Sequence, residues 1–245
     1  MKEVVFVGTS DAFGAGGRRQ SAVVMRSASG TVLVDCGATT NTGLGALGIE
    51  RDELDAIVVS HFHGDHFAGI PLLLLAAQYA DRRSRPMLIA GPHGIETRVR
   101  ELAEAMGHPM SDRQWSYPVI FQELHAGHEA EVGPVQVRSF ETRHQPDTHP
   151  QGYRLTSSGR TVGYSGDTGW FAGLSEIAEG SELFICECTY RASDLDFHLN
   201  LELLEERHQS FDCGSTLLTH LGSQMAERRT DDALECADDG MIVKL

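Results

Sequence analysis

The sequence predicts one α/β domain with mixed strands, spanning residues 1–245. Short apolar runs alternate with longer helical patterns, which is typical of strands packed between helices. The 245 residues are 41% hydrophobic, which is enough apolar material for a sizeable core. Neither a repeat nor a linker nor a change in composition divides the chain, so a single domain is expected.

The first half of the chain is predicted to form five strands and two helices. The strands cover residues 4–7, 22–25, 32–34, 56–60 and 87–90. The run at 56–60 is almost wholly apolar, which indicates a strand buried on both faces. Helices are expected at 69–80, where Pro71 fits the first turn, and at 94–106, where the pattern is amphipathic. Residues 72–77 are apolar all round, so the first helix is expected to be buried. The glycine-rich segment 8–21 is expected to be a loop.

The second half is richer in strands. Residues 119–138 contain two or three strand patterns separated by glycine turns. Residues 154–156 and 161–164 flank Ser158-Gly159, which indicates a hairpin. A buried strand is expected at 183–186, a helix at 199–207 and a strand at 214–218.

The charge balance limits the classes of partner. Lys and Arg number 20 against 35 Asp and Glu, which gives a formal net charge of −15. Nucleic acid and anionic membranes both require clustered cations, so this balance disfavours them, although a local basic groove is still compatible with RNA. The longest apolar stretch, residues 70–77, is far too short to span a bilayer, so no membrane association is expected.

The cysteines indicate a reducing compartment. The chain has 5 cysteines, an odd number, and its first residues have no cleavable apolar segment. Cys186 and Cys188 form a C-x-C pair with no second pair at zinc-finger spacing. Free thiols and a cytoplasmic location are therefore expected.

Residues 61–66 are the part of the sequence most informative about chemistry. His61, His63, Asp65 and His66 follow the predicted buried strand within six residues. On an extended stretch, residues 61 and 63 point to the same side, and Gly64 is expected to let the chain turn so that Asp65 and His66 face the same cavity. Imidazole and carboxylate groups are ligands for zinc and its first-row neighbours. Two adjacent pairs suggest two metal ions, a geometry that activates water and binds a substrate anion.

The pattern His-x-His-x-Asp-His after an apolar strand resembles the signature of the metallo-β-lactamase superfamily. That resemblance implies a four-layer αββα sandwich of mixed sheets, with the metal site at one edge. It also implies three further ligands downstream, and His144, Asp167 and His220 follow predicted strands in the required order. His149 competes with His144 for the first of these positions, but it lies in a proline-flanked loop.

The resemblance implies two divalent metal ions, with zinc expected and manganese or iron as alternatives. The seven ligands divide between them as follows: the first ion takes His61, His63 and His144, the second takes Asp65, His66 and His220, and Asp167 bridges the two.

Other segments resemble ribonuclease Z and its phosphodiesterase relatives. They are Gly8-Thr9-Ser10, Asp35-Cys36-Gly37 and Gln151-Gly152-Tyr153-Arg154. Glu187 and Thr189 resemble part of that branch's His-Glu-Ala-Thr motif, although Cys186 stands where the motif has His. His198 lies where the branch has a second catalytic His.

The chain also departs from ribonuclease Z. Only about ten residues separate Arg154 from Ser165, so the flexible arm that grips tRNA is absent. Together with the net charge, this favours a small phosphodiester as substrate. The resemblance implies hydrolysis by a hydroxide that bridges the two ions. Asp65 would orient the attacking water or accept its proton, His198 would protonate the leaving alkoxide, and Glu187 would tune the pKa of His198.

Several alternatives stay open at this point. The same ligands would serve a non-phosphate ester, lactone or sulfate hydrolase, a tRNA 3′-end processing endoribonuclease, or a metal-binding scaffold without turnover. Asp35 and Thr168 are expected to support ligands rather than react. Arg18 and Arg19 would either reach a substrate phosphate or belong to a solvated turn. The resemblance also implies a homodimer.

Overall fold

A computed structural model of the protein describes residues 1–111, 113–193, 195–226 and 234–245. In chain order, its strands are β1 (Glu3–Gly8), β2 (Ala22–Arg26), β3 (Thr31–Val34), β4 (Leu54–Val58), β5 (Met87–Gly91), β6 (Val119–Glu123), β7 (Glu129–Val132), β8 (Val135–Glu141), β9 (Gln151–Ser157), β10 (Arg160–Tyr164), β11 (Leu183–Glu187), β12 (Thr216–Thr219), β13 (Glu235–Cys236) and β14 (Ile242–Lys244). Its α-helices are α1 (Thr40–Ala46), α2 (Gly64–Phe67), α3 (Ile70–Tyr79), α4 (Ile95–Ala105), α5 (Gly173–Ala178), α6 (Leu201–Arg207) and α7 (Ser223–Ala226).

The strands form two mixed sheets of seven strands each. The first has the order β14-β1-β2-β3-β4-β5-β6, antiparallel as far as β3 and parallel from β3 to β6. The second has the order β13-β12-β11-β10-β9-β8-β7, antiparallel from β7 to β10 and parallel from β10 to β13. In each sheet the parallel strands send their carboxyl ends to a common edge, where polar side chains can meet.

Alternating side chains on the strands build a four-layer sandwich. On β1, Val4 and Phe6 belong to the apolar cluster between the sheets, whereas Val5 and Val7 pack under the helices on the outer face. A third cluster, which includes Phe184, packs the second sheet against α5, α6 and α7. The predicted αββα architecture is confirmed. Among the described residues, no helix has the length and apolar character needed to cross a bilayer.

Most predicted elements are present, with shifts of a few residues at their ends. The pattern over 119–138 is three strands, and Ser158-Gly159 forms the predicted two-residue hairpin turn. Helices α1, α2, α5 and α7 and the edge strands β13 and β14 were not predicted. The expectation that residues 72–77 are buried on every side was wrong, because Leu72 is 44% exposed.

Gly69 is required by close packing beside the candidate site. Its N–H donates to the Cys36 carbonyl at 2.8 Å, and a Cβ at this position would lie 2.2 Å from the carbonyl oxygen of Gly37. We expect Gly69→Ala to lower the free energy of unfolding by about 1–3 kcal/mol, because the added methyl must displace backbone. Urea unfolding measures this change.

The matched control is Gly45→Ala in α1, where an added Cβ has no atom within 4 Å. That substitution should be neutral or should stabilise by up to about 1 kcal/mol, because Ala favours helix. Equal stability changes in the two variants would contradict the packing argument.

Candidate metal centre

The strand ends place the polar side chains at one edge of the sandwich. The segment 61–66 follows β4, His144 follows β8, and Asp167 follows β10. Glu187 ends β11, and His220 directly follows β12 with a left-handed backbone (φ 55°). Because β4 lies in the parallel part of the first sheet, and β10, β11 and β12 form parallel pairs in the second, their carboxyl ends converge, and the site is assembled from both sheets.

The segment 61–66 turns in a way that the sequence did not predict. His61 follows β4, His63 is extended (φ −80°, ψ 146°), and the short helix α2 then carries Asp65 and His66. Gly64 begins this helix and has no positive φ, so the expectation that the turn requires its backbone freedom was wrong. A helical turn brings Asp65 and His66 to the cluster instead.

The first group of donor atoms consists of His61, His63, His144 and Asp167, whose ligand atoms all lie within 4.8 Å of one another. Nδ1 of His63 lies 3.1 Å from Nε2 of His61 and 3.1 Å from Nε2 of His144. Asp167 Oδ2 lies 3.7 Å from Nε2 of His61 and 4.0 Å from Nε2 of His144. Tetrahedral zinc ligands at about 2.0–2.1 Å from the ion would be about 3.3 Å apart, which these spacings bracket.

The second group consists of Asp65, His66, Asp167 and His220, all buried. Oδ2 of Asp65 lies 3.2 Å from Nε2 of His66 and 3.3 Å from Nε2 of His220. Asp167 directs Oδ1 to His66 (3.3 Å) and Oδ2 to His220 (3.2 Å). Asp167 is therefore shared by the two groups, and it is only 3% exposed.

The environment of His66 fits a cation at this position. Its Nδ1 lies 2.7 Å from Oδ2 of Asp35, while its buried Nε2 has no hydrogen-bond partner. Burial opposes a charged ring, yet the carboxylates of Asp167 and Asp65 raise the pKa of His66 well above its ordinary value. These carboxylates require positive charge next to Nε2, which either a proton or a metal ion could supply.

The outward-facing nitrogens of the rings are held by other groups. His144 donates from Nδ1 to the Phe197 carbonyl at 2.8 Å, which leaves the Nε2 lone pair directed at the first group. Nδ1 of His220 lies 2.8 Å from the Thr189 hydroxyl. Such partners fix the orientation of a ring and direct the other nitrogen to a metal.

Glu187 and His198 form a pair at the rim of the two groups. Glu187 is 1% exposed, and its Oε1 accepts from the Thr168 N–H and from His198 Nδ1, both at 2.8 Å. Oε2 accepts from the Thr189 hydroxyl at 3.0 Å. Burial opposes a charged imidazole here, but the Glu187 carboxylate raises the pKa of His198 to about 9. His198 Nδ1 also lies 4.0 Å from Asp167 Oδ2.

The structure separates the two candidates for the third ligand. His144 is buried within the first group, whereas His149 is exposed and has a left-handed backbone (φ 52°). His149 faces His93, with the ring centroids 6.3 Å apart, and belongs to neither group of donor atoms.

Arg18 and Arg19 are held by residues near the end of the chain. Arg18 forms an ion pair with Asp238 at 2.6 Å, and Arg19 forms one with Asp239 at 3.5 Å. Arg19 also donates from Nε to the Val7 carbonyl. Both guanidinium groups thus brace the loop at 8–21.

Sequence reasoning predicted that Asp35 supports the ligands, but it missed Ser60, Tyr164 and Gln145. Asp35, which has a left-handed backbone (φ 61°), accepts from the Ser60 hydroxyl at 2.8 Å and the Tyr164 hydroxyl at 2.6 Å. Gln145 Oε1 lies 3.1 Å from Nε2 of His63. The only signal for these residues is adjacency, because each lies within two residues of a predicted ligand or strand end.

Comparison with known proteins agrees with this architecture. A family model described as Anti-Pycsar protein Apyc1 matches residues 2–236. A curated ribonuclease Z from Mycobacterium bovis is 27% identical over 194 residues, which are 76% of this chain and 69% of that protein. Another, from Mycolicibacterium gilvum, is 25% identical over 95% of this chain and 88% of its own length.

Solved structures share the fold at low identity. The metallo-β-lactamase fold protein YhfI from Bacillus subtilis aligns with a TM-score of 0.78 and 22% identity, over 99% of each chain. The predicted resemblance to the metallo-β-lactamase superfamily and its ribonuclease Z-like branch is confirmed.

Proposed function

The chain belongs to the Anti-Pycsar protein Apyc1 family, and from this membership we propose that this metallo-β-lactamase-fold hydrolase is a dinuclear metal-dependent phosphodiesterase acting on small phosphodiesters. The observation that carries the proposal is the position of the His198–Glu187 pair beside the two donor groups: His198 Nδ1 lies 2.8 Å from Glu187 and 4.0 Å from Oδ2 of Asp167, the carboxylate that both groups share. Hydrolysis of a diester needs cations as well as a proton donor, because charge develops on the phosphoryl oxygens while the leaving oxygen needs a proton.

The two donor groups would hold the ions. His61, His63 and His144 would hold one, Asp65, His66 and His220 the other, and Asp167 would bridge them. Two divalent ions, zinc first and manganese or iron as alternatives, would lower the pKa of a water at the site and offset phosphoryl charge.

The side chains of the chain itself would perform the proton transfers. Burial opposes the charged form of Asp65, yet His66 and His220 lower the pKa of this carboxyl. Asp65 is therefore a carboxylate over the working pH range and would orient the attacking water by accepting a hydrogen bond. His198 would donate a proton from Nε2 to the leaving oxygen, because Glu187 occupies Nδ1.

A tRNA substrate is the second candidate, since the curated relatives are ribonuclease Z proteins. Two observations favour a small substrate instead. β9 and β10 are joined only by Ser158-Gly159, which leaves no room there for a substrate-gripping arm. The net charge of −15 also opposes a polyanion. Cleavage of a precursor tRNA at a rate comparable with that of small diesters would overturn this choice.

Hydrolysis of bis(p-nitrophenyl) phosphate tests the proposal. Metal-free protein is reconstituted with zinc or manganese and assayed beside Asp65→Ala. We expect turnover that requires added metal and falls by roughly 10² or more in the variant, because Asp65 would hold one ion and orient water. The exposed Asp147, in the loop after His144, gives the control Asp147→Asn, which should retain full activity.

A negative result would discriminate among the alternatives. If two ions bind per chain but neither linear nor cyclic diesters are hydrolysed, the phosphodiesterase proposal fails. A lactone, a carboxylic ester and an aryl sulfate on the same metal-loaded protein then test the other hydrolases. If the protein binds metal but hydrolyses none of these substrates, the remaining hypothesis is a metal-binding scaffold without turnover.

Three further predictions accompany the proposal. A reducing, cytoplasmic location is the first, and the five free cysteines support it. A homodimer stays a prediction, and sedimentation analysis of the purified chain would test it. Residues 1–245 are proposed to unfold as one domain, which a single cooperative urea transition would support.

A further inference from the structure

A cavity of about 230 Å³ opens beside His144, which is the one described residue that both lines this cavity and belongs to a candidate metal group. Its remaining lining includes His93, Leu124, His125 and His149. A second cavity, lined by His198, lies nearby, and the described residues that line it are all different from those of the first. The two cavities give a diester two separate places for its two substituents.

The wall of the first cavity is built on a strained backbone. His149 has φ 52°, a conformation that non-glycine residues rarely adopt, and its N–H donates to the Pro146 carbonyl at 3.1 Å. Its ring stands edge-on to Phe62, with centroids 6.1 Å apart. Phe62 lies between the proposed ligands His61 and His63, so this contact places the ring of His149 beside the segment that carries them. Strained positions of this kind cluster at ligand-binding sites.

The lining suits a flat, uncharged ring. Besides His144, three imidazoles, Leu124 and two prolines, Pro146 and Pro150, offer planar and apolar faces. Among the described lining residues there is no Lys or Arg, and Glu141 is present, which disfavours a second phosphate or another anion. Imidazole and proline faces stack on aromatic rings, and the imidazole nitrogens can form hydrogen bonds with polar atoms at the rim of such a ring.

The position of His198, the proposed proton donor, indicates which of the two ester substituents lies in each cavity. His198 must reach the leaving oxygen, so the leaving group lies toward the cavity that His198 lines. The substituent retained on phosphorus then points away from His198. We propose that the cavity beside His144 binds this retained substituent and selects a planar aromatic ring. This inference rests on the proposed phosphodiesterase activity.

Two substrates with the same leaving group test the subsite. Diphenyl phosphate retains a phenyl group, and methyl phenyl phosphate retains a methyl group, while both release phenolate, whose departure needs a proton from His198. We expect His149→Asn to lower the preference for the aryl substrate, measured as the ratio of the two kcat/KM values, by roughly threefold to tenfold, mainly through KM. Asn tolerates the left-handed backbone, so the loop should fold.

His125→Ala, which removes another imidazole from the lining, should change the ratio in the same direction. The control is His128→Ala, since His128 is exposed, neighbours His125 and does not line the cavity. It should leave the ratio unchanged. An unchanged ratio in His149→Asn and His125→Ala would overturn the subsite while leaving the phosphodiesterase standing.

If neither ester is hydrolysed, the proposed function fails and the subsite is judged by binding alone. Calorimetry with metal-loaded protein then compares diphenyl phosphate with dimethyl phosphate. Tighter binding of the diphenyl ester that is lost in His149→Asn would support the subsite, and equal affinities would overturn it.

Discussion

Replacing Asp167 with Asn is expected to abolish turnover and to lower bound metal below two ions per chain. The carboxylate directs Oδ1 to His66 at 3.3 Å and Oδ2 to His220 at 3.2 Å. Burial opposes its charged form, yet His220 and His66 hold the pKa of Asp167 well below its ordinary value. An amide of the same shape has no charge to share between two cations, so both proposed metal positions weaken together. We expect kcat/KM to fall by more than about 10²-fold, since even residues that only orient metal ligands change affinity or activity 10- to 100-fold.

Metal analysis and thermal unfolding check this result independently of activity. Added zinc should raise the Tm of the wild type, because a ligand that binds only the folded state stabilises it by mass action. The rise should be much smaller in Asp167→Asn, whereas Asp147→Asn, an exposed acid, should behave like the wild type. Two ions per chain and an undiminished metal-dependent rise in Tm would contradict the bridging role.

The sequence predicted the site better than it predicted the helices. His61, His63, Asp65 and His66 are close in sequence, and the remaining ligand candidates each follow a strand, so their meeting at one edge follows from the strand pattern alone. The structure brings all seven candidates into two adjoining groups. The choice of His144 over His149 rested on its position after a strand, and the structure places only His144 in a group.

The missed features depend on contacts between distant parts of the chain. Helix α1 reads Thr-Asn-Thr-Gly-Leu-Gly-Ala, a composition with poor intrinsic helix propensity, and its Leu44 is fully buried in the outer core. Tertiary packing therefore stabilises this helix. The ion pairs of Arg18 and Arg19 join residues more than two hundred positions apart, which no local pattern can indicate.

Removing the imidazole of His198 is expected to have an effect that depends on the leaving group. A proton donor helps most when the departing oxygen is strongly basic. We expect His198→Ala to slow methyl phenyl phosphate by roughly 10²-fold or more, and methyl p-nitrophenyl phosphate far less, because p-nitrophenolate leaves without a proton. The control is His128→Ala, which should slow neither substrate. A purely structural role for His198 would slow both substrates equally.

The pH dependence of kcat tests the role of Glu187, the hydrogen-bond partner of His198. The pKa of His198 is raised to about 9 by Glu187, in opposition to burial. A general acid acts only while protonated, so its contribution is present below this pKa and is lost as the pH rises through it. Cations bound nearby disfavour the imidazolium, so the loss in metal-loaded enzyme should occur at or below pH 9. Glu187→Gln removes the charge but keeps the shape, and it should move the fall in kcat for methyl phenyl phosphate to lower pH. An unshifted alkaline limb would show that another group donates the proton.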